Sequence, residues 1–155
     1  MRKLTLRLLS ISFLIAALMG VGISQAGTMN HRTEDGKIKV LYHIDGADVG
    51  VATYALALIN KHIEAEGGPE KIEVKVVVHG PALKLFDKKD VDPKLLNKLK
   101  LILEKGVEPE MCQVSMKLFN MPLDTLADGF KPTEHPVAVK RIADLQEQGY
   151  LYIKP

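Results

Sequence analysis

The chain has 155 residues, 21 of them Lys or Arg and 19 Asp or Glu, for a formal net charge of +2; it holds one Cys, four Phe, four Tyr and no Trp. A single cysteine rules out an internal disulfide framework, and near-balanced charge with few aromatic rings offers neither the basic face nor the stacking platforms of a nucleic-acid binder. The sequence contains no Gly-x-Ser-x-Gly, phosphate-loop or Gly-x-Gly-x-x-Gly pattern, so hydrolase, kinase and dinucleotide-binding readings have no support.

The first 26 residues read as a signal peptide. Arg2, Lys3 and Arg7 make a basic start, residues 8–23 are apolar apart from two serines and two glycines, and Ser24-Gln25-Ala26 places small residues where a signal peptidase reads. The apolar run is short for a membrane span. Arg2-Lys3 is no twin arginine, which points to the general secretory route and a periplasmic destination. The membrane enters only if the leader stays uncleaved. Removing the leader leaves 129 residues with 18 basic against 19 acidic side chains, enough for one domain and without the basic excess that the whole chain suggests.

Residues 27–37 are polar, without apolar period. They read as a flexible lead-in in which His31 is solvated. Residues 38–155 then alternate strand and helix. Ile-Lys-Val-Leu-Tyr-His-Ile (38–44) is a strand whose end is almost continuously apolar, the mark of a buried parallel strand. A helix follows from Val49 to Ala65 and stops at Gly67-Gly68-Pro69. Residues 72–79 form a second strand, ended by Gly80-Pro81, with one helical turn over 82–86. Asp92-Pro93 opens a helix carrying Leu95, Leu96, Leu99, Ile102 and Leu103 at helical spacing, and Lys105-Gly106 closes it. Residues 107–111 read as a third strand, short or bulged because Pro109 lies inside it, and a helix runs from about Gln113 to Asn120. A weak strand is expected within 125–130, a helix opened by Glu134-His135-Pro136 and running to about Gln148, and a last strand over 150–153.

Such alternation predicts a three-layer α/β/α domain around a mainly parallel sheet of about five strands. Sites in these sheets lie beyond the carboxyl ends of the strands. His43 ends the first strand, His79 the second, and Cys112 follows the third, so the three are expected on one edge. Cys112 falls at a strand-to-helix junction, where unpaired backbone N–H groups favour the thiolate. Glu108 and Glu110, just upstream, oppose this if their carboxylates are near.

The chain resembles the DsrE/DsrF-like family of small sulfur-relay proteins, its exported branch in particular. The resemblance spans residues 37–155. It rests on Val76-Val77-Val78-His79-Gly80-Pro81-Ala82-Leu83, on Gly106-Val107 through Met111-Cys112-Gln113-Val114-Ser115-Met116, and on Arg141 through Ile153 in that order and spacing. It implies a flavodoxin-like fold, a homo-oligomer (trimer or hexamer), and sulfur carried as a persulfide on Cys112, with no cofactor. The sequence departs from cytoplasmic relay members, which have small residues and then Arg-Gly after the cysteine; here Met116, Lys117 and Asn120-Met121 stand there.

Three functions compete. In the first, Cys112 is the persulfide acceptor of a sulfurtransferase-like carrier, with His43 and His79 tuning it or transferring a proton, and with donor and acceptor proteins that the sequence does not name. In the second, the two histidines and Cys112 hold copper or zinc, with Met111, Met116 and Met121 adding soft sulfur; no local pair has metal-ligand spacing. In the third, the fold is kept as a non-catalytic oligomeric binding subunit.

Overall fold

The computed structural model describes residues 29–155; the expected leader and its expected cleavage point lie outside them. Five strands form one parallel sheet: β1 (Ile38–Ile44), β2 (Ile72–Val78), β3 (Glu110–Met111), β4 (Lys131–Pro132) and β5 (Leu151–Ile153), in the order β4-β3-β2-β1-β5. Four helices connect them: α1 (Val49–Ala65), α2 (Pro93–Leu103), α3 (Gln113–Phe119) and α4 (Ala138–Glu147). Among the described residues no helix is long and apolar enough to cross a membrane.

The three layers follow from strand alternation. Val40, Tyr42 and Ile44 of β1, Ile72, Val74, Val76 and Val78 of β2, and Met111 of β3 point to one face and pack under Leu56, Ile59 and Ile63 of α1 and Leu95, Leu99 and Ile102 of α2. The intervening residues Leu41 and Val77 point to the other face, with Cys112 and Tyr150, under Ala138, Ile142 and Leu145 of α4. The caps read from sequence are in place. Asp48 accepts from the Val51 N–H, and Asp92 accepts from the N–H groups of Lys94 and Leu95.

Three expectations are corrected by backbone chemistry. The third strand is two residues long instead of five: Pro109 has no N–H to give a neighbour, and only its carbonyl joins the ladder, accepting from Lys131 N–H at 3.0 Å. The strand sought within 125–130 is absent. Leu123–Thr125 is a 3-10 turn, Leu126 and Ala127 are buried against the α1–α2 core, the chain reverses at Gly129 (φ +100°), and β4 begins only at Lys131. The last helix starts at Ala138 rather than within residues 134–136, because residues 134–137 bend across the start of α3, where the Pro136 carbonyl accepts from Val114 N–H.

The lead-in turns back along the sheet. Arg32 bridges Ile38 in antiparallel fashion, Thr33 N–H donates to Lys37 O at 2.8 Å, and the ring of His31 bonds Gly149 O at 2.8 Å through Nδ1 while the residue stays exposed. Gly149 itself sits at φ +90°, and a Cβ there would lie 2.2 Å from Asn30 O, so both backbone conformation and the close approach of the lead-in demand glycine.

Candidate functional site

Parallel strands end on a common edge, and β1, β2 and β3 bring their chemistry to it. His79 N–H donates to Ile44 O at 3.1 Å and Cys112 N–H to Val78 O at 2.9 Å, which ties each strand end to its neighbour. Alternation from Leu41, Val77 and Glu110 puts His43, His79 and Cys112 on the same face, the one α4 covers.

The structure then separates the three. His43 and His79 meet directly, Nε2 to Nε2 at 2.7 Å, with ring planes 18° apart and centroids 4.8 Å apart. Nitrogens so close with centroids so far apart mean that the rings meet end to end rather than face to face. His43 Nδ1 bonds the Tyr152 hydroxyl of β5 at 2.6 Å. Asp45 Oδ2 lies 3.7 Å from His43 Nε2 and accepts from Lys154 Nζ at 2.7 Å. Gly80 at φ +59° lets the chain leave the β2 end sharply, and its N–H donates to the buried Ser115 hydroxyl at 2.8 Å, fixing the loop that carries His79 against α3.

Burial pushes both imidazoles below the ordinary value of 6.5. His79 adds to this at His43, Asp45 opposes it at both rings, and Lys154 reinforces it. The unfolded chain therefore binds more protons than the folded one in the interval just under pH 6.5. Stability from the neutral pair is complete above that value and is lost as pH falls through the lowered folded-state range. Urea midpoints should decline on acidification across this window, and His79→Gln should flatten the slope; equal slopes in the two proteins would place the acid sensitivity elsewhere.

Cys112 is 4% exposed, packed with Leu41, Val77, Ala138, Ile142 and Leu145. Its Sγ donates to Pro136 O at 3.5 Å, and the same carbonyl accepts from Val114 N–H at 3.1 Å. Cys112 is the N-cap residue of α3, at the helix start read from sequence, but its thiol makes no capping bond, and a carbonyl from the 134–137 bend already occupies the helix terminus beside it. The expected opposition from Glu108 and Glu110 is neutralised. Glu110, fully buried, receives two hydrogen bonds from Arg141, Nε to Oε2 at 2.8 Å and Nη2 to Oε1 at 2.7 Å, and Glu108 pairs with Lys131 at 3.0 Å. Hydrogen bonding to Glu110, aided by its charge, holds the Arg141 guanidinium above its usual range.

The copper-or-zinc set of two histidines plus Cys112 is not the set that assembles. The donors within 4.8 Å of one another are His43, Asp45 and His79. The methionines are not at this rim either: Met111 is fully buried in the α1–α2 core, and Met116 and Met121 pack against it. Sequence reasoning missed Asp45, Tyr152, Lys154 and the Glu110–Arg141 pair. Arg141 had a signal, since it shares the inner face of α4 with Ala138, Ile142 and Leu145 and so needed a buried partner. Tyr152 had none, because its approach to His43 depends on β5 pairing with β1 through Leu41↔Tyr152.

The family model described as DsrE/DsrF-like family matches residues 38–155. The chain belongs to that family. Two solved structures agree with this DsrE-like fold. A protein of unknown function, MTH1491 from Methanobacterium thermoautotrophicum, is 19% identical with a TM-score of 0.64 over 75% of this chain and 97% of that one. The ychN protein from E. coli is 13% identical with a TM-score of 0.59 over 76% and 98%. No curated protein matches the chain. At these identities the likeness speaks for the flavodoxin-like three-layer fold, and the family is one associated with sulfur relay.

Proposed function

We propose that this DsrE-like protein is a periplasmic sulfur carrier that takes a sulfane sulfur onto Cys112. What supports the reading most is the placement of the chain's single cysteine at the end of β3, on the functional edge of a DsrE-type sheet. The step needs no outside oxidant or reductant. The Cys112 thiolate attacks the outer sulfur of a donor persulfide or polysulfide, a new S–S bond forms at Sγ, the donor S–S bond breaks, and the donor leaves as a thiolate. The reverse chemistry delivers the sulfur to an acceptor thiol.

Loading requires the 134–137 bend to lift, since Pro136 O sits on the thiol and Cys112 is buried. His43 and His79 share the face with Cys112, yet the bond from Sγ goes to Pro136 O and to neither ring, so in this reading they set the polarity of the rim. We propose also that the carrier is a homo-oligomer, a trimer or hexamer. Exposed Val114, Leu118, Val137 and Val139 beside the bend supply apolar surface for such contacts, and light scattering that returns the mass of a lone chain would rule the assembly out. The burial of Cys112 favours a second reading, a binding subunit without thiol chemistry. Intact mass with and without reductant separates the two: the carrier exposed to polysulfide gains a reductant-sensitive increment of one sulfur, and the binding subunit gains none.

A further inference from the structure

The His43–His79 contact poses an electrostatic question that sulfur loading does not answer. Two Nε2 atoms at 2.7 Å, ring ends facing, place lone pair against lone pair unless a proton or a cation lies between them. The groups around the pair suit a cation. The Tyr152 hydroxyl at 2.6 Å from His43 Nδ1 can hold the proton on that nitrogen and leave Nε2 bare, which is how metal-ligating imidazoles are oriented. Asp45 contributes a carboxylate oxygen, and the donor atoms of all three residues lie within 4.8 Å of one another. A cavity of about 220 Å³ opens beside them, lined in part by His43, Asp45, Val51, Ala52 and Lys154, and it offers both an entry path and room for a further ligand.

We propose that His43, Asp45 and His79 bind a divalent first-row transition-metal ion of the zinc type, with one coordination position open to this cavity. Two nitrogens and one oxygen are the donor set of three-ligand zinc sites that keep a fourth position for water or substrate. Imidazole nitrogens sharing a cation sit about 3 Å apart, given metal–nitrogen bonds of about 2 Å, so the rings part slightly from their present contact when the ion enters. Lys154 opposes the ion. Its ammonium occupies Asp45 Oδ2 at 2.7 Å, from an exposed position one residue before the chain end, and it must release that oxygen or move to the other one.

The inference stands apart from sulfur loading at Cys112, and the test keeps them distinct. Tag-free purified protein is titrated with Zn(II) by calorimetry and with Co(II) by visible absorption. The expected result is saturable binding of one ion per chain, with Co(II) bands of low-coordinate intensity. His79→Ala and Asp45→Asn should each remove it while far-UV circular dichroism stays native. Tyr152→Phe should weaken it by about tenfold, and Lys154→Met should tighten it. Cys112→Ser should leave zinc affinity unchanged. Absence of saturable binding, or binding that survives both His79→Ala and Asp45→Asn, overturns the site; loss of binding in Cys112→Ser would return the cysteine to the ligand set and overturn this assignment as well.

Discussion

Arg141→Met should destabilise the fold by about 3–5 kcal/mol, the cost of leaving a buried charge without its partner. Glu110 is fully buried and Arg141 is 3% exposed, joined by two parallel hydrogen bonds. Methionine matches the length of the arginine stem but supplies no donor, so the Glu110 carboxylate would remain in the core with nothing to answer it. Replacing both residues, as in Glu110→Leu with Arg141→Met, should recover most of the loss, because paired burial of two charges gains little over well-packed apolar side chains. Urea unfolding measures both differences. The single variant should also expose Cys112: Arg141 holds Glu134 at 2.5 Å through Nη1, and Glu134 begins the bend that carries Pro136 over the thiol. Faster alkylation of Cys112 in Arg141→Met is therefore expected at denaturant concentrations where the protein remains folded. A single variant as stable as wild type would mean that Glu110 reaches water or takes up a proton in the native state.

Cys112→Ser should abolish reductant-labile sulfur completely and change stability by only about 1 kcal/mol. Serine preserves the shape of the N-cap and can still donate to Pro136 O, so the bend and the start of α3 keep their connection. Cys112→Ala should lose sulfur to the same extent while giving up the bond to Pro136. Wild-type Cys112 should react with iodoacetamide under native conditions at a rate set by the opening of residues 134–137, slower than an exposed thiol. Labile sulfur in both variants, or a wild-type thiol that reacts only once the protein unfolds, would leave the binding-subunit reading in possession.

Much of this architecture can be read without coordinates, and the reason is local. The runs at 38–44 and 72–78 are long enough for alternation and apolar ends to announce buried parallel strands, and Asp48, Asp92 and Gly67 mark helix ends through bonds or backbone angles satisfied within a few residues. Because parallel strands share a direction, that reading also predicts one edge for His43, His79 and Cys112. The short strands were harder. β3 and β4 are two residues each and owe their existence to pairing with β2 and with one another, so nothing in residues 125–132 declares which of them will pair.

What the sequence alone determined is the succession of strands and helices, the caps that bound them, and the presence of one thiol and two imidazoles at strand ends, since each depends on neighbours within a turn or a pleat. Only the tertiary structure decided that the imidazoles meet each other and Asp45 rather than the thiol. It also decided that Tyr152 orients His43 across 109 residues of chain, that Glu110 is silenced by Arg141, and that Pro136 covers Cys112. Those contacts join side chains from different strands and loops, and their distances are set by sheet order and helix docking, which no local pattern of residues encodes.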